Sequence, residues 1–133
     1  MAFARRVKQI VAVTPNRIGM FAELSSAISD ISVNIIALCA YGVADKANFM
    51  IITDNNQRAI SALKAKRYEV VKEEDVGVIS LPNRIGEARH LADKFAKANI
   101  NLEYCYGTTG DSKESLFVFA TKELDKAIEV LNK

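Results

Sequence analysis

A five-residue phrase occurs twice in this chain. Pro15-Asn16-Arg17-Ile18-Gly19 returns 67 residues later as Pro82-Asn83-Arg84-Ile85-Gly86. The same offset carries Phe21, Leu24, Ile28 and Ile31 onto Ala88, Leu91, Phe95 and Ala98, and Val33-Asn34-Ile35 onto Ile100-Asn101-Leu102. It also carries Phe49 and Ile51 onto Leu116 and Val118, and near the end it becomes 68, matching Ala59, Ile60 and Leu63 with Ala127, Ile128 and Leu131. The chain is therefore a tandem duplication. With only 133 residues, each copy must be a small domain, expected at 1–75 and 76–133.

Each copy predicts the fold of the other. Val7 to Val13 and Val76 to Leu81 are short β-branched runs that stop at a proline, as strands do. The 3, 4, 3 spacing of Phe21, Leu24, Ile28 and Ile31, and of their counterparts, puts one apolar stripe on a helix. Ile35 to Tyr41 and Leu102 to Tyr106 read as second strands, and Asn48 to Thr53 and Ser115 to Ala120 as third strands. Turn residues around Gly42 to Asp45 and Gly107 to Asp111 make these pairs hairpins. A second helix is expected from Asp54 as cap with Gln57 reaching back, and Thr121 holds the equivalent place. Tyr68 to Glu74 adds a fourth strand to the first copy. The order β-α-β-β-α-β is the α+β, ferredoxin-like arrangement, an antiparallel sheet with its helices on one face. The second copy ends at Lys133 without that last strand. Its first strand, Val76 to Leu81, then needs cover from another strand of this chain or of a second subunit.

Composition narrows the function by exclusion. Half the residues are apolar and the net charge is +2, so the chain can bury a core and charge selects neither nucleic acid nor membrane as partner. Arg5 and Arg6 raise an export reading, but no apolar run or cleavage site follows before Pro15, and a cytoplasmic protein is expected. Cys39 and Cys105 read as small buried hydrophobes, and His90, between Glu87 and Asp93, as a solvated helix position. The glycines form no phosphate-binding loop, no catalytic set can be assembled, and no metal or cofactor is expected. Phe117 and Phe119 share a face that sheet packing explains better than RNA stacking.

The informative junction lies between the first strand and the first helix. There Asn16 to Gly19 precede helix amides that have no intrahelical partner, which suits a small carboxylate approached closely at Gly19. An ordinary turn in which Asn16 caps the helix is the alternative reading. Asn34 and Asn101, which open the second strands, likewise read either as turn residues or as polar groups of a site.

With these motifs in place the chain resembles tandem ACT domains, small regulatory modules that bind amino acids. That family has a loop of type Asn-x-Pro-Gly after its first strand and a Gly-Val/Ile-Asn-Ile lead-in to its second. The loops here are Asn16-Arg17-Ile18-Gly19 and Asn83-Arg84-Ile85-Gly86, and the lead-ins Ser32-Val33-Asn34-Ile35 and Asn99-Ile100-Asn101-Leu102. Ile18 and Ile85 replace the loop proline, while Ser32 and Asn99 replace a glycine of left-handed conformation. The resemblance implies domains paired side by side with an amino acid at the seam. Asn16, Ile18 and Gly19 would then face Asn101, while Asn83, Ile85 and Gly86 would face Asn34. It further implies a non-catalytic regulator, a homo-oligomer, and an enzyme of amino-acid metabolism as possible partner, with an assembly module lacking any ligand as the alternative.

Overall fold

The computed structural model describes residues 3–108 and 113–133. Among these the chain runs β1 (Ala4–Pro15), α1 (Met20–Ser29), β2 (Ile35–Val43), β3 (Lys46–Thr53), α2 (Asn56–Ala65), β4 (Val70–Pro82), α3 (Glu87–Lys97), β5 (Tyr104–Thr108), β6 (Glu114–Ala120) and α4 (Leu124–Leu131). The expected element order holds in both copies. Two compact units result: an N-terminal unit, Lys8–Glu74, and a C-terminal unit made of Asp75–Lys133 together with the segment up to Val7. The division differs from the sequence-based one, 1–75 and 76–133, in the placement of that first segment.

The reason is strand length. At 12 and 13 residues, β1 and β4 are about twice as long as a typical strand, so the two ends of each serve different units. In the N-terminal unit the strands lie in the order β2-β3-β1-β4, with β1 and β2 both antiparallel to β3. In the C-terminal unit the order is β1-β4-β6-β5. Here Ala4–Val7 takes the place of the absent last strand and so covers the edge that the sequence left open. The Asn132 side chain fixes it, accepting from the Ala4 N–H at 2.7 Å and donating to the Ala4 carbonyl at 2.9 Å. Arg6 pairs with Asp75 at 3.0 Å and also with Asp125.

Each unit has its own core. Met20, Leu24 and Ile28 of α1 pack on Ile10, Ala12, Phe49 and Ile51, with Ala59 and Leu63 of α2 beside them. Leu91 and Phe95 of α3, with Leu124, Ala127 and Leu131 of α4, pack on Ala4, Ile79, Leu81 and Phe119. The apolar stripe of α1 thus holds, except that Met20 is buried in place of Phe21, which is 56% exposed. Both helices α1 and α3 end in the same left-handed turn, at Ser32 (φ 60°) and Asn99 (φ 56°). The amides of Val33 and Ile100 close the two turns onto the carbonyls of Ile28 and Phe95.

Several local expectations shift. The core-facing residues of β6 are Phe117 and Phe119, since Gly77 pairs with Phe119 as Ile10 pairs with Ile51. The offset is therefore already 68 in β6, and Leu116 and Val118 are not the counterparts of Phe49 and Ile51. Phe119 is fully buried against Phe95, ring centroids 5.2 Å apart, which removes it as a base-stacking platform. A Cβ on Gly77 would lie 2.1 Å from Phe119 Cζ, so this ring requires glycine beneath it. The cap of α2 is Asn55, whose side chain accepts from the Arg58 amide; Asp54 is engaged instead in a two-way bond with Asn34. Cys39 is half-buried and Cys105 exposed, unlike the buried thiols expected, because β2 and β5 are edge strands of their units. His90 is exposed, as expected. Among the described residues no helix is long and apolar enough to cross a membrane.

Candidate functional site

The loop after β1 is held by its own hairpin. Asn16 donates from its backbone N–H to the Asp45 carbonyl at 2.9 Å and from Nδ2 to the Ala44 carbonyl at 3.0 Å. This spends the Asn16 amide on the turn joining β2 and β3, so the alternative of Asn16 capping α1 does not hold. Gly19 is the N-cap of α1 and supplies no side-chain cap. Its φ of 88° is the reason for glycine, because a Cβ there would meet nothing within 4 Å. A close packing contact occurs at Gly42, where a Cβ would lie 2.6 Å from Asn16 Nδ2. Gly42 is a strand residue paired with Ala47, not part of the turn.

Where this loop meets β2 the surface is hollow. A cleft of about 270 Å³ is lined by Asn16, Gly19, Met20, Phe21, Ala40 and Gly42, with Ala47 and Phe49 also in its wall. The hollow has a simple cause. Ala40 pairs with Phe49 and Gly42 with Ala47, so the small side chains of Ala40 and Ala47 leave the sheet face open beside the Asn16 side chain, which lies over Gly42. Phe21 stands over this floor with its ring 6.3 Å from that of Phe49. The amides of Phe21 and Ala22, in the first turn of α1, have no hydrogen-bond partner among the described residues. Arg17, which also lines the cleft, pairs with Glu23 at 3.2 Å, and Tyr68 Oη donates to the same carboxylate at 2.7 Å. These hydrogen bonds, that of Tyr68 foremost, hold the Glu23 carboxyl below its usual pKa. Burial and the Glu23 carboxylate together push the Tyr68 phenol well above its usual value.

The loop of the C-terminal unit starts alike and ends differently. The Asn83 N–H donates to the Lys113 carbonyl at 2.7 Å, and Gly86 takes a φ of 89°. Glu87, however, stands at the position of Met20, and Arg84 folds back onto it through Nε at 3.2 Å and Nη2 at 2.9 Å. Ile18 and Ile85 are both fully exposed, and Ile18 does not line the cleft.

Asn34 and Asn101 occupy matching places. The Asn34 N–H donates to Asp54 Oδ1 at 3.0 Å and its carbonyl accepts from the Asp54 N–H at 3.1 Å, whereas the Asn101 carbonyl accepts from the Thr121 hydroxyl at 2.9 Å. Backbone groups carry these bonds; the side-chain amides of both asparagines are exposed and unbonded among the described residues. A cleft of about 440 Å³ adjoins Asn101, with Glu103, Thr121, Lys122 and Glu123 in its wall. Within the N-terminal unit the structure separates the loop from the lead-in asparagine. Asn16 is tied to the turn after Val43, and Asn34 precedes Ile35 at the other end of the nine-residue β2. At roughly 3.3 Å per residue those ends are about 26 Å apart.

Sequence reasoning found the loop and missed the wall. Met20, Phe21, Ala40, Ala47 and Phe49 read as ordinary helix and strand residues. The signal available was the small residues Ala40, Gly42 and Ala47, which register brings side by side.

Two ferredoxin-like units that share a duplicated loop, with a cleft where the first loop meets an edge strand, define a tandem α+β module. Residues 5–133 match the family described as ACT domain pair, and the chain belongs to it. ACT domains are regulatory modules. No curated protein matches the chain. Among solved structures it is similar to protein BT0572 from Bacteroides thetaiotaomicron, at 27% identity and a TM-score of 0.88 over 96% of this chain and 88% of that one. It is also similar to the ligand-free regulatory subunit of aspartate kinase from Thermus thermophilus, at 12% identity and a TM-score of 0.73 over 98% and 93% of the two chains. A structure of aspartokinase alpha and beta subunits aligns at 14% identity and a TM-score of 0.71 over 97% and 94%. These last two likenesses bear on the fold alone.

Proposed function

We propose that this chain is a non-catalytic, cytoplasmic regulatory protein that binds an amino acid where two ACT domains pair. Membership of the family supports a sensing role, and one observation carries it to these residues. The duplicated loop opens onto a cleft of about 270 Å³, near the small end of the ligand-pocket range of roughly 300 to 1,000 Å³. That size suits a single amino acid. The separation of Asn16 from Asn34 within one unit supports a seam. A small ligand that meets Asn16, Ile18 or Gly19 takes Asn101 from another domain, and one that meets Asn83, Ile85 or Gly86 takes Asn34. An asparagine amide offers a donor for a carboxylate and an acceptor for an ammonium group.

Occupancy would be reported by altered contacts with further copies of the chain or with a separate enzyme of amino-acid metabolism. By linkage, that partner shifts the affinity for the amino acid by the same factor. A thermal-shift screen against the common amino acids tests the reading. A ligand at 100 times its dissociation constant stabilises by about 2.7 kcal/mol, a shift of several degrees. Absence of any shift across the set would refute it in favour of an assembly module.

A further inference from the structure

We infer that the ligand is an amino acid with an uncharged, apolar side chain, and that each chain holds one such site, in its N-terminal unit. The inference rests on the amino-acid reading above; it adds the chemical class and restricts binding to one of the two loops that reading allows. The class follows from the lining. Met20, Phe21, Ala40, Ala47 and Phe49 present carbon to the cleft, and the small side chains of Ala40 and Ala47 leave it open beside the Asn16 side chain, which lies over Gly42. Arg17, the charged residue of the lining, is already paired with Glu23, which also accepts from Tyr68. A charged side chain placed here would lose its hydration with no counter-charge free to replace it. The polar end of the ligand meets a different environment, the unbonded amides of Phe21 and Ala22 at the rim.

The stoichiometry follows from comparing the two copies position by position. Met20 becomes Glu87, whose carboxylate lies at the mouth of the loop in a double hydrogen bond from Arg84. Phe21 becomes Ala88, so the wall is gone. Ala40 becomes Gly107, and among the described residues the space over it is filled. The Phe117 ring lies over it, with Cδ1 2.5 Å from where a Gly107 Cβ would stand. Among the described residues the C-terminal loop therefore keeps the backbone of the motif without the apolar wall of the first copy.

Calorimetry on the intact chain decides the matter, with leucine, phenylalanine, glutamate and lysine as titrants. The expected result is binding of leucine or phenylalanine at one per chain, with glutamate and lysine at least tenfold weaker. Ala40→Asp sets a carboxylate in the wall at an exposed position. It should weaken the apolar titrant at least tenfold while leaving the melting temperature of the free protein within a degree or two. Phe21→Ala should weaken it in the same direction. Equal or tighter binding of glutamate or lysine, two sites per chain, or unchanged leucine affinity in both variants would overturn the inference and leave the amino-acid reading standing. Silence from all four titrants, with no shift in the thermal screen, would remove both.

Discussion

Asn132→Ala tests the account of how the C-terminal unit is completed. The Asn132 side chain makes two hydrogen bonds to one residue of β1, at 2.7 and 2.9 Å to the Ala4 N–H and carbonyl, in a part-buried setting. Each such bond contributes about 0.5 to 1.5 kcal/mol net, so the substitution should cost about 1 to 3 kcal/mol. Two effects push toward the upper end. Ala4 is 5% exposed, and its backbone groups would lose partners that water replaces poorly. Asn132 also shields the outer edge of the segment that stands in for the missing strand. A domain of this size loses a few degrees of melting temperature per kcal/mol, so urea and thermal denaturation both resolve the effect. Hydrogen exchange localises it: the Ala4 amide should exchange much faster in the variant, and amides of α1 should not. Unchanged stability together with unchanged Ala4 exchange would refute the role assigned to Asn132.

Three further outcomes follow from single positions. Ser32→Gly should stabilise the protein by up to about 1 kcal/mol, since a left-handed non-glycine residue costs roughly 1 to 2 kcal/mol and glycine returns about 0.5 to 1 of it as chain entropy. Asn99→Gly should gain less, because asparagine tolerates that conformation, and equal melting temperatures for Ser32→Gly and wild type would count against the strain. Gly77→Ala places a Cβ 2.1 Å from Phe119 Cζ and should cost about 1 to 3 kcal/mol by overpacking; a neutral result in urea would mean that the ring can move aside. For Glu23, whose pKa is lowered in the folded state by Tyr68 and then Arg17, the stabilising contribution is present above the ordinary carboxylate pKa and is lost as pH falls through the folded one. Glu23→Gln should therefore narrow the gap to wild type on acidification, and urea midpoints that stay parallel from neutral to acid pH would contradict this.

The repeat made most of the fold legible, because each copy checks the other. Asn16 and Asn83 both follow a strand, Asn34 and Asn101 both lead into one, and the left-handed turns fall at Ser32 and Asn99 as the motif requires. The slip of one residue before β6 was hidden for a physical reason. Leu116-Phe117-Val118-Phe119 is apolar at every position, so period-two alternation cannot say which pair faces the helices. The role of Ala4–Val7 was hidden because pairing with a strand some 70 residues away leaves no local mark. Asp54 looked like a cap, as its side chain suits one, until Asn34 claimed it from across the sheet. The cleft was least legible of all. It is made of volume that Ala40 and Ala47 do not fill, and small residues announce a hollow only once strand register has brought them together.

Amide chemical-shift mapping on the labelled chain, titrated with the amino acid that stabilises it best, is the most direct test of a ligand site at the duplicated loop. Shifts concentrated at Gly19, Phe21, Ala22, Ala40 and Gly42, saturating with the calorimetric affinity, are the predicted result. Saturable shifts that avoid all five of these residues would contradict the account.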